Sequence, residues 1–192
     1  MAARRVARFQ REFDVTVTWW PFELHPETPR EGRDVDELLR RTGRGRAYSD
    51  HLRAYASEAG ITLASNRWLA NSHRALEFAE FARDRGRFDA AHEALFKACF
   101  EERRDIGNID VLCEIAAECG LDSREFQAEA ALGRYAELID RTTAIARQKG
   151  VTSTPTMIFD DRVVVTGAQD YLVYEDLLRR LGARRLDESP AQ

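Results

Sequence analysis

Val6, Phe9 and Phe13 recur at i, i+3 and i+7 while Arg4, Arg5, Arg8 and Arg11 take the other faces, a spacing that predicts an amphipathic helix over residues 2–13. Asp14 then leads into Val15-Thr-Val-Thr-Trp19, a period-two alternation of β-branched and aromatic residues closed by Pro21, which predicts a strand. Trp19 and Trp20 fall on opposite faces of it, one toward a core and the other placed to line a groove or cover a gap in the sheet. From Asp34 to Gly150 the period is helical almost throughout, and breaks near Gly43, Gly45, Gly60, Gly86, Gly107 and Gly120 divide it into about six or seven helices. Leu76 with Ala79, Phe78 with Ala82, Leu95 with Ala98 and Cys99, and Leu112 with Ile115 and Ala116 read as core stripes. Asp122-Ser-Arg-Glu125 has the form of a capping box and marks a helix start.

After Gly150 the pattern changes again. Thr156-Met-Ile-Phe159 and Arg162-Val-Val-Val165 are short apolar runs separated by Asp160-Asp161, which predicts a β-hairpin. Tyr171, Tyr174, Leu177, Leu178 and Leu181 form the apolar face of a closing helix with Gly182 as its C-cap, and Ala183–Gln192 reads as a polar, disordered tail.

Composition narrows the function classes. A chain of 192 residues with 44% hydrophobic and 32% charged residues can bury a core without disulfide staples. No apolar run approaches the roughly 20 residues of a membrane span, so a soluble protein is expected. Met1–Arg11 has no apolar h-region and does not read as a secretory signal. A net charge of -4 argues against a nucleic-acid surface, which needs clustered basic residues. Cys99, Cys113 and Cys119 form an odd count without an export signal, which favours reduced thiols in the cytoplasm.

The individual chemistry-bearing residues have plain readings. Cys113 and Cys119 are about 240° apart around one predicted helix, too far for a disulfide, so buried inert thiols are expected. Cys99, Cys113 and Cys119 with His92 lack the short spacings of a zinc site, and neither a metal nor a cofactor is expected. His25, His51, His73 and His92 are scattered, and none stands beside a Ser or Cys in a recognisable nucleophile arrangement.

Trp20-Pro-Phe-Glu-Leu-His-Pro26, Asn71-Ser-His-Arg-Ala75, Gly150-Val-Thr-Ser-Thr-Pro-Thr156 and Gly167-Ala-Gln169 follow one another in an order that resembles the thioredoxin-like DsbA family, its FrnE-like branch above all. The likeness runs over roughly residues 4–182. It implies an α/β thioredoxin-like fold with a large all-helical insertion, divided into residues 1–33 and 150–182 as the thioredoxin-like half, 34–149 as the insertion and 183–192 as the tail. In that family the first strand ends in Cys-x-x-Cys at the N-terminus of the first helix, whose unpaired N–H groups and dipole stabilise thiolate. No Cys-x-x-Cys occurs here, and the first strand of the core is missing.

The resemblance therefore implies a thiol-disulfide oxidoreductase scaffold with no catalytic residue of its own, inactive as given. The preferred explanation is a start placed at an internal methionine of a longer protein; the other is true loss of the strand. In the second case the flanking strands close the gap or a partner chain adds a strand, so a homodimer is among the expected states. The resemblance also implies a cis Thr154–Pro155 bond, substrate binding at Thr154, Pro155 and Gln169, and a position for His25 in a loop flanking the active face. The expected partner is a disulfide-containing protein or a small thiol such as glutathione. Two alternatives share the fold: a glutathione-dependent isomerase or transferase, and a non-catalytic module that binds a peptide or partner.

Overall fold

The computed structural model describes residues 2–42 and 68–186 of the chain. The predicted breaks at Gly43, Gly45 and Gly60, and His51, lie outside the described residues. The chain divides into two compact units, one of residues 1–20 and 150–192 and the other of residues 21–149. The first crossing falls at Pro21 and not after residue 33, because residues 21–33 are bonded into the helical unit: the Glu23 N–H donates to Thr143 Oγ1 (3.0 Å) and Asn71 Nδ2 to the Thr28 carbonyl (2.7 Å).

In the first unit, α1 (Ala2–Glu12) turns its apolar stripe inward: Val6 and Phe9, with Phe13 just beyond the helix, are buried with Tyr174 and Leu178 of α8 (Tyr171–Arg180). Strands β3 (Thr156–Phe159) and β4 (Val163–Thr166) form the expected antiparallel hairpin, with Phe159 opposite Val163. Asp160 and Asp161 have φ of 50° and 53°, the left-handed pair that a hairpin turn demands and that Asp tolerates.

Val15–Trp19 corrects the expectation of a strand. The side chains alternate as predicted, with Val15, Val17 and Trp19 half-buried against the core and Thr16, Thr18 and Trp20 exposed. Residues 15–18, however, make no backbone hydrogen bond to another backbone group among the described residues. Side-chain burial sets the period, but a ladder needs a partner's backbone as well. The disordered tail is also corrected at its start. The Arg184 carbonyl accepts from the Asp14 N–H (2.8 Å), the Leu186 N–H donates to the Glu12 carbonyl (2.9 Å), and Arg184 pairs with Asp14. Residues 187–192 lie outside the described residues.

Glu12 joins the two helices of this unit. The Tyr171 hydroxyl donates to Glu12 Oε2 (2.6 Å), Arg8 donates to Oε1 (2.7 Å), and the Arg8 guanidinium lies over the Tyr171 ring. The Tyr171 bond first, and Arg8 second, hold the Glu12 carboxyl below the ordinary carboxylate value. A carboxyl lowered in the folded state adds stability above its unfolded value, and this is lost as pH falls through the folded one. Tyr171→Phe is expected to move the Glu12 titration upward toward the ordinary value, as read by carboxyl-carbon NMR.

In the second unit, β1 (Arg33–Asp34) pairs antiparallel with β2 (Trp68–Leu69), a ribbon too short to leave a period in the sequence. Gly32 (φ 84°) precedes it, where a Cβ would run into the Trp68 indole and the Leu69 carbonyl. Among the described residues its helices are α2 (Val35–Thr42), α3 (His73–Asp84), α4 (Phe88–Phe100), α5 (Ile109–Glu118), α6 (Ser123–Ala131) and α7 (Ala136–Gln148). Gly86, Gly107 and Gly120 fall between them as predicted.

Helix α3 is the centre, packed on α4, α5, α6 and α7, and it buries Ala75, Phe78, Ala79, Phe81 and Ala82. Asp122 caps α6 through the N–H groups of Arg124 and Glu125. The other half of the predicted capping box does not form, because Glu125 is bonded to Arg85 instead.

Candidate functional site

At the head of β3, Ser153 accepts from Thr156 Oγ1 (2.8 Å) and the Pro155 carbonyl accepts from the Gly167 N–H (2.8 Å), which fixes Pro155 against the far end of the hairpin. The Thr154–Pro155 bond is cis. Thr154 is exposed, and its N–H and C=O bond no other backbone group among the described residues. Beyond β4, Gly167 takes a φ of 78° and turns the chain toward α8. There the Gln169 N–H donates to the Tyr174 hydroxyl (3.1 Å) and Gln169 Nε2 to the Thr166 carbonyl (3.0 Å). Thr154, Pro155 and Gln169 thus belong to one hairpin end, with Thr154 offering backbone groups and Gln169 occupied in shaping the turn.

Burial acts against thiolate at all three cysteines. All three are free and half-buried, where buried thiols were expected. Cys99 lies on α4, where burial first, and the Asp105 charge second, push its thiol up to about 11. Burial likewise raises Cys113, aided by Asp110, and Cys119, aided by Glu118. The Cys113 carbonyl accepts from the Ser123 hydroxyl (2.7 Å), so the residue joins α5 to α6.

The histidines separate by environment. His25 is half-exposed and faces Glu27 Oε1 (3.1 Å). His92 stands between Phe88 and Phe96, and burial lowers its pKa. His73, at the start of α3, meets Glu23: Nδ1 lies 3.1 Å from Glu23 Oε2. This contact joins the Trp20–Pro26 and Asn71–Ala75 motifs across 50 residues of sequence, and no local pattern marks it.

The DSBA-like thioredoxin domain family matches residues 1–179. The chain is similar to the uncharacterized protein YwbO of Bacillus subtilis (strain 168), with 26% identity over 165 residues, covering 84% of this chain and 80% of that protein. Its fold is similar to the crystal structure of probable DsbA oxidoreductase SCO1869 from Streptomyces coelicolor, with a TM-score of 0.84 and 24% identity, covering 99% of this chain and 86% of that one. The fold is thioredoxin-like, and no helix of the described residues is long and apolar enough to cross a membrane. With the match extending over nearly its whole length, the chain belongs to the DSBA-like thioredoxin domain family.

Proposed function

We infer that this chain is a thiol-disulfide oxidoreductase scaffold of the FrnE-like kind, that Thr154 and Pro155 receive an extended substrate strand, and that the exchanging sulfur pair is not among these 192 residues. The observation that carries the reading is Thr154, exposed and with its backbone groups unused by other backbone among the described residues, at the open head of β3. Such an edge pairs with any extended chain through main-chain hydrogen bonds, which suits a substrate selected by its disulfide more than by its sequence. The substrate is a disulfide-containing protein or a small thiol such as glutathione. The same edge can pair with a second copy of the chain. The three free cysteines favour a reducing compartment, the cytoplasm.

The test is insulin reduction with dithiothreitol as the electron donor. The chain alone is expected to give no turnover above the uncatalysed rate. A form extended ahead of Ala2 by a strand and Cys-x-x-Cys turn borrowed from a family relative should gain turnover, and Pro155→Ala in that form should lower it. Robust turnover by the chain alone, or an inert extended form, overturns the reading.

A further inference from the structure

The Glu23–His73 contact belongs to a larger cluster, confined to the helical unit. One ring nitrogen of His73 and one carboxylate oxygen from each of Glu23 and Asp140 lie within 4.8 Å of one another. On the other side of the ring, His73 Nε2 is 3.7 Å from Glu77 Oε1, one turn along α3. Glu23 and Glu77 are each only 5% exposed, whereas Asp140, on α7, is exposed. Glu77 Oε2 is buried without a hydrogen-bond partner.

His73 has a buried carboxylate at each ring nitrogen, Glu23 at Nδ1 and Glu77 at Nε2; an imidazolium donates to both, whereas a neutral ring with its single N–H donates to one. Leaving a buried carboxylate oxygen unpaired is costly. A metal ion beside Nδ1 can take the place of the second ring proton. It replaces the Nδ1 proton, takes Glu23 and Asp140 as anionic ligands, and leaves Nε2–H directed at Glu77, the carboxylate–histidine arrangement that supports metal-bound imidazoles. Two carboxylates and a neutral imidazole also balance a divalent charge.

We propose that Glu23, His73 and Asp140 bind one divalent first-row transition-metal ion, with Glu77 as the carboxylate that orients His73. The donor set, two oxygens and one imidazole nitrogen without sulfur, suits Mn²⁺, Fe²⁺, Co²⁺ or Zn²⁺ better than Mg²⁺ or Ca²⁺, which take oxygen alone. Ligand atoms around such an ion stand about 3.4 Å apart for bonds of about 2.1 Å, so the cluster closes by small rotations. Exposed Asp140 supplies the entry path, and three protein ligands leave a coordination position open.

The test uses the full chain after chelator dialysis, titrated with Co²⁺ and followed by visible absorption and by equilibrium dialysis. One Co²⁺ per chain is expected, with visible d–d bands and no sulfur-to-cobalt charge transfer. Asp140→Asn, at an exposed position that the fold tolerates, should weaken binding by about 10-fold or more, and His73→Gln should do the same. A variant with Cys99, Cys113 and Cys119 all changed to Ser should bind as the parent does. No saturable binding into the millimolar range overturns the proposal. So does binding that ignores both Asp140→Asn and His73→Gln, or that shows sulfur charge transfer lost in the cysteine-free variant.

Discussion

Phe126→Ala is expected to lower the unfolding free energy by about 3–5 kcal/mol in a urea titration, against a change of about 0.5 kcal/mol or less for exposed Phe96→Ala. Phe126 is fully buried and is the buried residue through which α6 reaches the core. Its ring meets Phe78 edge-on, with centroids 5.0 Å apart, and Phe81 at 5.3 Å; Phe81 in turn meets Tyr135 edge-on. Removing the ring loses transfer free energy and leaves a cavity between α3 and α6 that these rigid aromatic neighbours cannot refill. The Asp122 cap remains and contributes about 1 kcal/mol, and the Arg85–Glu125 pair remains at the surface, where an ion pair adds little; together they do not replace the ring. A loss below about 1 kcal/mol would mean that α6 is not held through this residue.

The sequence showed what depends on local spacing. Phe78 and Ala82, Leu95 and Ala98, and Leu112, Ile115 and Ala116 repeat at helical intervals, and all are buried as those intervals require. The hairpin was legible because two β-branched runs flank an Asp pair, and the turn uses both aspartates with positive φ. Val15–Trp19 separates burial from pairing. Its alternation is correct in burial, but pairing depends on backbone elsewhere in the chain, about which the segment's own residues say nothing.

The candidate site divides in the same way. Thr154-Pro155 could be named because the pair lies inside the contiguous Gly150–Thr156 motif that carries the family resemblance; its substrate role is the proposal made above. His73 could not be distinguished from His25 or His92, since its partners Glu23 and Asp140 come from distant segments that only the helical packing brings together. His25, singled out for its loop, faces exposed Glu27. A cluster assembled across the fold leaves no spacing to read.

Alkylation of Cys99 by iodoacetamide is expected to run roughly 100-fold slower at pH 7 than that of an unperturbed thiol, and to rise about tenfold per pH unit until it levels near 11. The sign follows from the reacting species. Thiolate is the nucleophile, and a pKa pushed up to about 11 by burial and by the Asp105 charge leaves the neutral thiol dominant throughout the physiological range. Cys113 and Cys119 are raised as well and should show the same direction of pH dependence, each still climbing above the ordinary thiol value. An exchanging cysteine requires the reverse: a helix N-terminus or a neighbouring cation that lowers the pKa, so that the rate is already level near neutrality. Cys99 sits in the last turn of α4, where the helix dipole opposes thiolate, and Cys119 is the C-cap residue of α5, where it does so again. Site-resolved mass spectrometry across pH 6–11 separates the three thiols. A plateau near pH 7 at any one of them would relocate the chemistry to that sulfur and remove the reason for seeking the exchanging pair outside these residues.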